Sequence, residues 1–125
     1  MKIIEAIGRV DVLKPNAYDV VHKIGWLSKL DLMIQTHIFN THEDAPETIF
    51  SGYTADVDQQ TELLAPAPFD EMYIYWLKAQ IDLANGEYNR YNAEILMFNT
   101  EWQEYINHYK RHHMPKTAGV GRILF

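Results

Sequence analysis

One periodic stretch, between Pro68 and Pro115, constrains the fold more than any other part of this sequence. Apolar or aromatic residues recur in it at alternating spacings of three and four: Ile74, Leu77, Ile81, Ala84, Tyr88, Tyr91, Ile95, Phe98, Trp102, Tyr105 and Tyr109. This spacing places them on one face of an α-helix and does not fit the alternation of a strand. Asp70 is placed to cap the start of the helix, and the basic run 110–113 is typical of a helix end.

The dipeptide Asn85-Gly86 is the one interruption of this periodic stretch. A single helix over residues 70–113 would be about 66 Å long at 1.5 Å per residue, whereas a compact domain of this size has a radius of gyration of about 14 Å. We therefore favour two antiparallel helices that turn at Gly86, because glycine commonly follows a helix end. The alternative is one long helix supported by other subunits.

Two further helices are expected before the periodic stretch. The first ends before Pro15, and its apolar face consists of Ile3, Ile4, Ile7 and Val10. The second begins near Asn16 to Asp19, either of which can cap it. Its apolar residues are Val20, Ile24, Leu27, Ile34 and Ile38, widened by Trp26, Leu30 and Met33. A helix that is apolar on two faces must be covered twice, so Trp26 is a candidate subunit contact unless it closes the edge of its own core.

The segment 41–67 lacks helical periodicity and contains Pro46, Gly52 and Pro66. Irregular connections longer than about 12 to 15 residues are usually functional or disordered, and the apolar residues in this one argue against disorder. Tyr53 is therefore a candidate contact residue, and residues 48–54 are a candidate for a short hairpin strand.

After Pro115 the chain continues into a tail with two glycines and an apolar end. A tail of this kind is expected to dock on another subunit or on a partner, and its candidate contact residues are Arg122, Ile123, Leu124 and Phe125. These features together predict an all-α fold, a small bundle of about four helices. The domain covers residues 1–115, with a long irregular loop at 41–67, and the tail covers residues 116–125.

Composition excludes several classes of protein. Cysteine is absent, so neither disulfides nor thiolate metal sites are expected. No apolar run approaches the 18 residues of a membrane span, and the first residues are too soon charged for a signal peptide. We therefore expect a soluble intracellular protein without membrane contact. The net charge of -6 argues against a protein that grips phosphates, and no sequence-specific nucleic-acid binding is expected.

Charge is distributed unevenly along the chain. Residues 31–71 contain nine acidic side chains and no Lys or Arg, while residues 105–125 contain four Lys or Arg and no acid. The end of one copy is therefore suited to attract the middle of another copy. The alternative is that both regions are solvated faces, because exposed charges are screened beyond about 8 to 10 Å at ordinary salt.

Enzymatic chemistry finds little support in the sequence. Glu104, His108 and His112 are spaced by four on one helical face and form a weak candidate metal site. The full zincin motif is missing, however, and histidine is favoured at a helix end for electrostatic reasons. The two serines, Ser28 and Ser51, do not lie in a nucleophile elbow. We therefore expect no catalytic residues and no cofactor or metal.

Several segments resemble small prophage proteins that are encoded among virion assembly genes. They are residues 3–7 (IIEAI), 10–16 (VDVLKPN), 23–28 (KIGWLS), 61–73 (TELLAPAPFDEMY), 84–88 (ANGEY) and 113–115 (HMP). Those proteins are similar to the all-helical head-tail connector, or adaptor, proteins of tailed phages, for which we know no catalytic motif. Segment 41–67 is longer than a minimal connector needs, and the tail after Pro115 has no counterpart in the resemblance.

The resemblance implies a structural protein that assembles as a homo-oligomeric ring and helps join capsid to tail. Its implied partners are the portal and tail-completion proteins, and its implied location is the virion and, during assembly, the host cytoplasm. Two alternatives stay open at this point. One is a small metal-binding or metal-dependent protein that uses Glu104, His108 and His112, and the other is a monomeric helical adaptor for one host protein.

Overall fold

The computed structural model describes residues 1–116, which contain four α-helices. They are α1 (Ile3–Leu13), α2 (Val20–His37), α3 (Met72–Ala84) and α4 (Tyr88–His112). Single 3-10 turns at Phe39–Thr41 and Phe69–Glu71 flank the long loop between α2 and α3. Residues 1–116 contain two isolated β-bridges but no strand. The predicted all-α fold is therefore confirmed, and the candidate strand at 48–54 is wrong.

Helices α3 and α4 form an antiparallel hairpin that turns at Gly86, as predicted. Gly86 has a φ of +75°, a conformation that glycine adopts without the steric penalty of a side chain. The ring centroids of Trp76 and Phe98 are 5.1 Å apart, and Lys78 Nζ lies 3.2 Å from a carboxylate oxygen of Glu94. A later residue of α3 is thus paired with an earlier residue of α4, so the two helices are antiparallel. The single long helix is therefore excluded.

Helix α4 is almost twice as long as α3, and its second half packs on other parts of the chain. The rings of Phe69 and Tyr105 are 5.5 Å apart, and those of Phe39 and Tyr109 are also 5.5 Å apart. The predicted aromatic face is therefore buried in this half. In the first half of α4 it is not, since Tyr88 is 64% exposed.

The start of α3 differs from the sequence prediction. A 3-10 turn at Phe69–Glu71 comes before the helix, which begins at Met72 without a side-chain cap. Asp70 therefore lies too early in the chain to cap α3. Its carboxylate instead accepts a hydrogen bond from the Met1 amino group at 3.3 Å.

The first two helices supply the other side of the core. The Asp19 side chain accepts a hydrogen bond from the backbone N–H of His22 at 2.9 Å and caps α2, as expected. The buried apolar residues of α1 and α2 are Ile3, Ala6, Ile7, Val10, Ile24, Leu27, Leu30 and Ile34, and Ile38, directly after α2, is also buried. The predicted faces were wrong at Ile4 (45% exposed) and Val20 (38% exposed). Ala6 occupies the buried face of α1 instead, and Val20 is the first residue of α2.

The long loop is part of the core, which the sequence did not predict. Leu63 and Ala65 are buried in the main apolar cluster. Loop carbonyls also accept hydrogen bonds from the free N–H groups at the start of α1, from Ile3 to Thr61 (3.0 Å) and from Ile4 to Gln59 (2.9 Å). The loop therefore supplies hydrogen-bond acceptors to N–H groups at the start of α1, which would otherwise need water or a capping side chain.

Candidate functional site

Three polar side chains on α2 hold the long loop in place. Ser28, Asp31 and Gln35 are spaced by three and four, so they share one face of the helix, and all are buried. The Ser28 hydroxyl oxygen accepts from the N–H of Tyr53 at 2.9 Å, and the Gln35 side-chain oxygen accepts from the N–H of Phe50 at 3.0 Å. The loop therefore covers the face of α2 that carries Ser28, Asp31 and Gln35.

Asp31 is the centre of this polar face. Its carboxylate accepts hydrogen bonds from the hydroxyl groups of Tyr53 and Tyr73, the latter at 2.5 Å, and from the N–H of Leu64 at 3.2 Å. Burial raises the pKa of Asp31, and these three donors oppose the shift. The Tyr73 oxygen in turn accepts from the N–H of Ala65 at 2.8 Å. One buried carboxylate thus fixes two separate parts of the loop.

Close approach of the loop to α2 also explains a glycine. Gly52 has a φ of +114°, and a Cβ at this position would lie 3.3 Å from the Ser28 hydroxyl oxygen. Any other residue would be strained by its backbone and tight against its neighbour. The signal that sequence reasoning missed was the 28/31/35 polar spacing within a helix that is otherwise apolar on two faces.

A cavity of about 370 Å³ lies between the anchored loop and the end of α4. Its lining residues come from the 3-10 turn after α2, from the loop and from α4: Phe39, Asp44, Pro46, Leu64, Pro66, Tyr105, His108, Tyr109 and His113. The walls are therefore aromatic or apolar for the most part. Asp44 is the one carboxylate among them.

Tyr109 carries the polar chemistry of this cavity. Its ring stacks on that of His113, with centroids 3.7 Å apart. Its hydroxyl is buried and has no hydrogen-bond partner among residues 1–116. Burial, with a contribution from the negative charge of Asp44, raises the pKa of this hydroxyl. Asp44 itself has a left-handed φ of 59°, which aspartate tolerates better than most residues.

These features favour a particular kind of ligand. Electron-rich aromatic faces attract cations, a carboxylate pairs with a guanidinium or an ammonium group, and a buried hydroxyl without a partner needs a hydrogen bond. The apolar walls provide space for an aliphatic stem or neighbouring apolar side chains. The cavity is thus suited to a basic side chain within an apolar peptide segment.

The C-terminal part of the described chain passes beside this cavity. The N–H of Glu43 donates to the carbonyl of Met114 at 2.8 Å, and the N–H of Lys116 donates to the carbonyl of Thr41 at 3.0 Å. Residues 114–116 are therefore held against residues 41–43, next to Asp44. The candidate contact residues Arg122, Ile123, Leu124 and Phe125 lie outside the described residues.

The candidate metal residues do not converge on one point. Glu104 is exposed, His108 packs on Phe69 with ring centroids 4.8 Å apart, and His112 donates from Nδ1 to the carbonyl of His108 at 2.9 Å. Desolvation, with the neighbouring charge of His112, lowers the pKa of His108. Across residues 1–116, no three His, Cys, Asp or Glu side chains are arranged to hold a metal ion.

The other two candidate contact residues make contacts within the chain. The Trp26 carbonyl accepts from the indole N–H of Trp76 at 2.7 Å, and the half-buried Trp26 ring lies 5.5 Å from that of Tyr18. This arrangement agrees with the alternative that Trp26 closes the edge of its own core. The Tyr53 hydroxyl is bonded to Asp31 and is not free for a partner.

Comparison with known proteins identifies no relative: no family model, no curated protein and no solved structure matches this chain. None of the helices in residues 1–116 has the length and apolar character to span a bilayer. Function must therefore be argued from the chain's own residues, and the cavity beside residues 114–116 is the feature from which we argue it.

Proposed function

We propose that this chain is a non-enzymatic virion assembly protein, a head-tail connector of a tailed phage or prophage that acts as a homo-oligomeric ring. Portal and tail-completion proteins are its proposed partners, in the virion and in the host cytoplasm during assembly. The sequence segments that resemble prophage assembly proteins support this proposal. The structural observation that carries it is the acidic, aromatic cavity at the point where the chain continues into its basic, apolar tail.

In this proposal the tail of one copy enters the cavity of the next. Arg122 meets the carboxylate of Asp44 and the Tyr109 hydroxyl, which has no hydrogen-bond partner among residues 1–116. The apolar end of the tail packs on the apolar wall formed by Phe39, Leu64 and Pro66. Residues 117–121 span about 17 Å when extended, at about 3.3 to 3.6 Å per residue. That length allows the tail to leave its own domain and to reach an adjacent one.

Exchange between copies, and not docking on the same copy, is proposed because repeated contacts between copies can build a ring. A contact from the tail of one copy to the cavity of the next is heterologous, and heterologous contacts build a ring when the rotation closes. Each contact is weak alone, because ordering the tail costs about 1 to 2 kcal/mol per residue. Around a closed ring, repetition makes the set of weak contacts stable.

The virion role is tested in a lysogen that carries the gene. We expect deletion to leave separate heads and tails in an induced lysate, as seen by negative-stain electron microscopy. The complete chain supplied from a plasmid restores joined particles, whereas a chain that ends at Lys116 does not. Normal joined particles from the deletion strain would contradict the proposed function.

A further inference from the structure

Helix α4 carries a second regular stripe on the side opposite the core. It consists of residues spaced by four and three in alternation, all exposed and all uncharged: Asn89, Ala93, Leu96, Thr100, Gln103 and Asn107. Leu96 is 67% exposed, and the exposed Met97 lies beside it. The helix is about 37 Å long at 1.5 Å per residue, so the stripe follows most of its length.

This stripe has the properties of a helix-helix seam. Residues at alternating spacings of three and four lie along one face of an α-helix, so all six can face the same partner helix. Charged residues are depleted at the centre of protein interfaces, and the stripe has none, although 22% of the chain is charged. The charged residues of α4 lie on its flanks, among them Arg90 and Glu104, or at its C-terminal end.

We infer that two copies of this protein pair through this face of α4, with the two helices antiparallel about a twofold axis near Phe98. In that register Asn89 faces Asn107 of the second copy, Ala93 faces Gln103, and Leu96 faces Thr100. Each of these pairs is symmetric about the same point, because the residue numbers in each sum to 196. A small residue thus meets a larger one, and amides meet amides at both ends.

Charge selects this orientation. Arg90 and Glu104 lie on the same flank of the stripe, and in an antiparallel pair equal flanks face each other. Arg90 of one copy then lies near Glu104 of the other, twice in each dimer. A parallel pair would instead set each flank against the opposite flank of the partner, so Arg90 and Glu104 would not meet. Arg90 is free to turn, since it is exposed and its contact to Glu87 within the chain is long at 3.4 Å.

The inference does not depend on the proposed function. A twofold contact is complete with two copies, so it neither builds nor requires the tail-to-cavity contacts of a ring. The shared face is at most about 37 Å by 10 Å, which is smaller than a standard stable interface. We therefore expect a weak dimer, which is best detected by covalent capture.

Because the chain has no cysteine, thiol crosslinking tests the register cleanly. We expect an equimolar mixture of full-length Asn89→Cys and Asn107→Cys to be linked by a short bismaleimide into a species of twice 14.6 kDa. Neither variant alone should be crosslinked, because in an antiparallel pair its two thiols lie about 27 Å apart along the helix axis. Lys29→Cys, at an exposed position on α2, mixed with Asn107→Cys is the matched control.

A second variant checks that the crosslink reports the seam. Leu96→Lys introduced into both partners should reduce the yield at least fivefold, because it places two charges in the contact. Single variants that crosslink as well as the mixture would overturn the inference, and so would a mixture no better than the Lys29 control. A yield that is insensitive to Leu96→Lys would also overturn it. None of these results bears on joined virions, so failure here is distinguishable from failure of the connector proposal.

Discussion

The hydroxyl of Tyr73 on α3 donates to Asp31 on α2 at 2.5 Å and accepts from the N–H of Ala65 in the loop at 2.8 Å. This one side chain therefore connects α2 and α3 to the loop that lines one side of the cavity. The loop is long and irregular, yet it is held by a buried carboxylate and not by secondary structure of its own. The shape of the candidate site depends on that connection.

Tyr73→Phe should lower the free energy of unfolding by about 1 to 3 kcal/mol, because it leaves the N–H of Ala65 buried without an acceptor and removes one donor from Asp31. Chemical denaturation measures the loss. Tyr75→Phe is the matched control on the same helix, and it should stay within about 0.5 kcal/mol of the parent. Equal effects of the two changes would show that the Asp31 network does not stabilise the fold.

Asp31→Asn should destabilise the protein, and the loss should depend on pH. The folded pKa of Asp31 is raised above its unfolded value, so the folded state binds more protons between the two values and stability falls as pH rises through that window. Asparagine does not titrate. The difference in unfolding free energy between parent and variant should therefore be largest in acid, below the unfolded pKa, and smaller above the folded pKa. A difference that grows with pH would contradict this account.

The sequence alone places Tyr53 outside the core and predicts that Tyr53→Ala costs less than about 1.5 kcal/mol, against about 3 to 5 for Trp76→Ala or Phe98→Ala. The structure agrees with the expected losses for Trp76→Ala and Phe98→Ala, since both side chains are buried. It raises the expectation for Tyr53 to about 2 to 4 kcal/mol, because the change also removes a hydrogen bond to buried Asp31. Denaturation of the three variants decides between these values.

The features of the fold that the sequence predicted correctly depend on the conformational preferences of neighbouring residues. The turn at Gly86 and the Asp19 cap follow from backbone preferences that a few neighbouring residues determine. Burial along α4 does not follow from such rules, since the same periodic pattern includes both Tyr88, which is exposed, and Tyr109, which is buried. Tyr109 is buried because Phe39 and the loop lie opposite it, and contacts so distant in sequence leave no trace in the periodicity.

The candidate site was hidden for the same reason. Asp31 looked like one more acidic residue in an acidic region, and its environment depends on Tyr53, Leu64 and Tyr73, which are 22 to 42 residues away in sequence. Asp70 was misassigned as a cap because the 3-10 turn after Pro68 delays the start of α3. The absence of charge along the outer stripe of α4 was readable from the sequence, but its importance required knowing which face the core occupies.

The histidines near the end of α4 should contribute no metal site. Replacing His108 and His112 with glutamine should leave the melting temperature insensitive to chelator, as in the parent, because the trio with Glu104 does not converge. Differential scanning calorimetry with and without EDTA measures this. A parent protein that loses stability in EDTA, together with a double variant that does not, would revive the metal-binding alternative.

Tail exchange, the central claim of the proposed assembly, is tested most directly by exchanging the charges of Asp44 and Arg122. Light scattering should show that the parent forms assemblies larger than a dimer as concentration rises, while Asp44→Arg and Arg122→Asp each stay at or below twice 14.6 kDa. Glu47→Arg, in the same acidic loop but outside the cavity, serves as the control and should behave as the parent.

The decisive sample is the equimolar mixture of Asp44→Arg and Arg122→Asp. Every tail in it can find an oppositely charged cavity on the other variant, so the account predicts that the mixture regains the mass of the parent. A mixture that stays at or below twice 14.6 kDa, or single variants that assemble as the parent does, would contradict tail exchange.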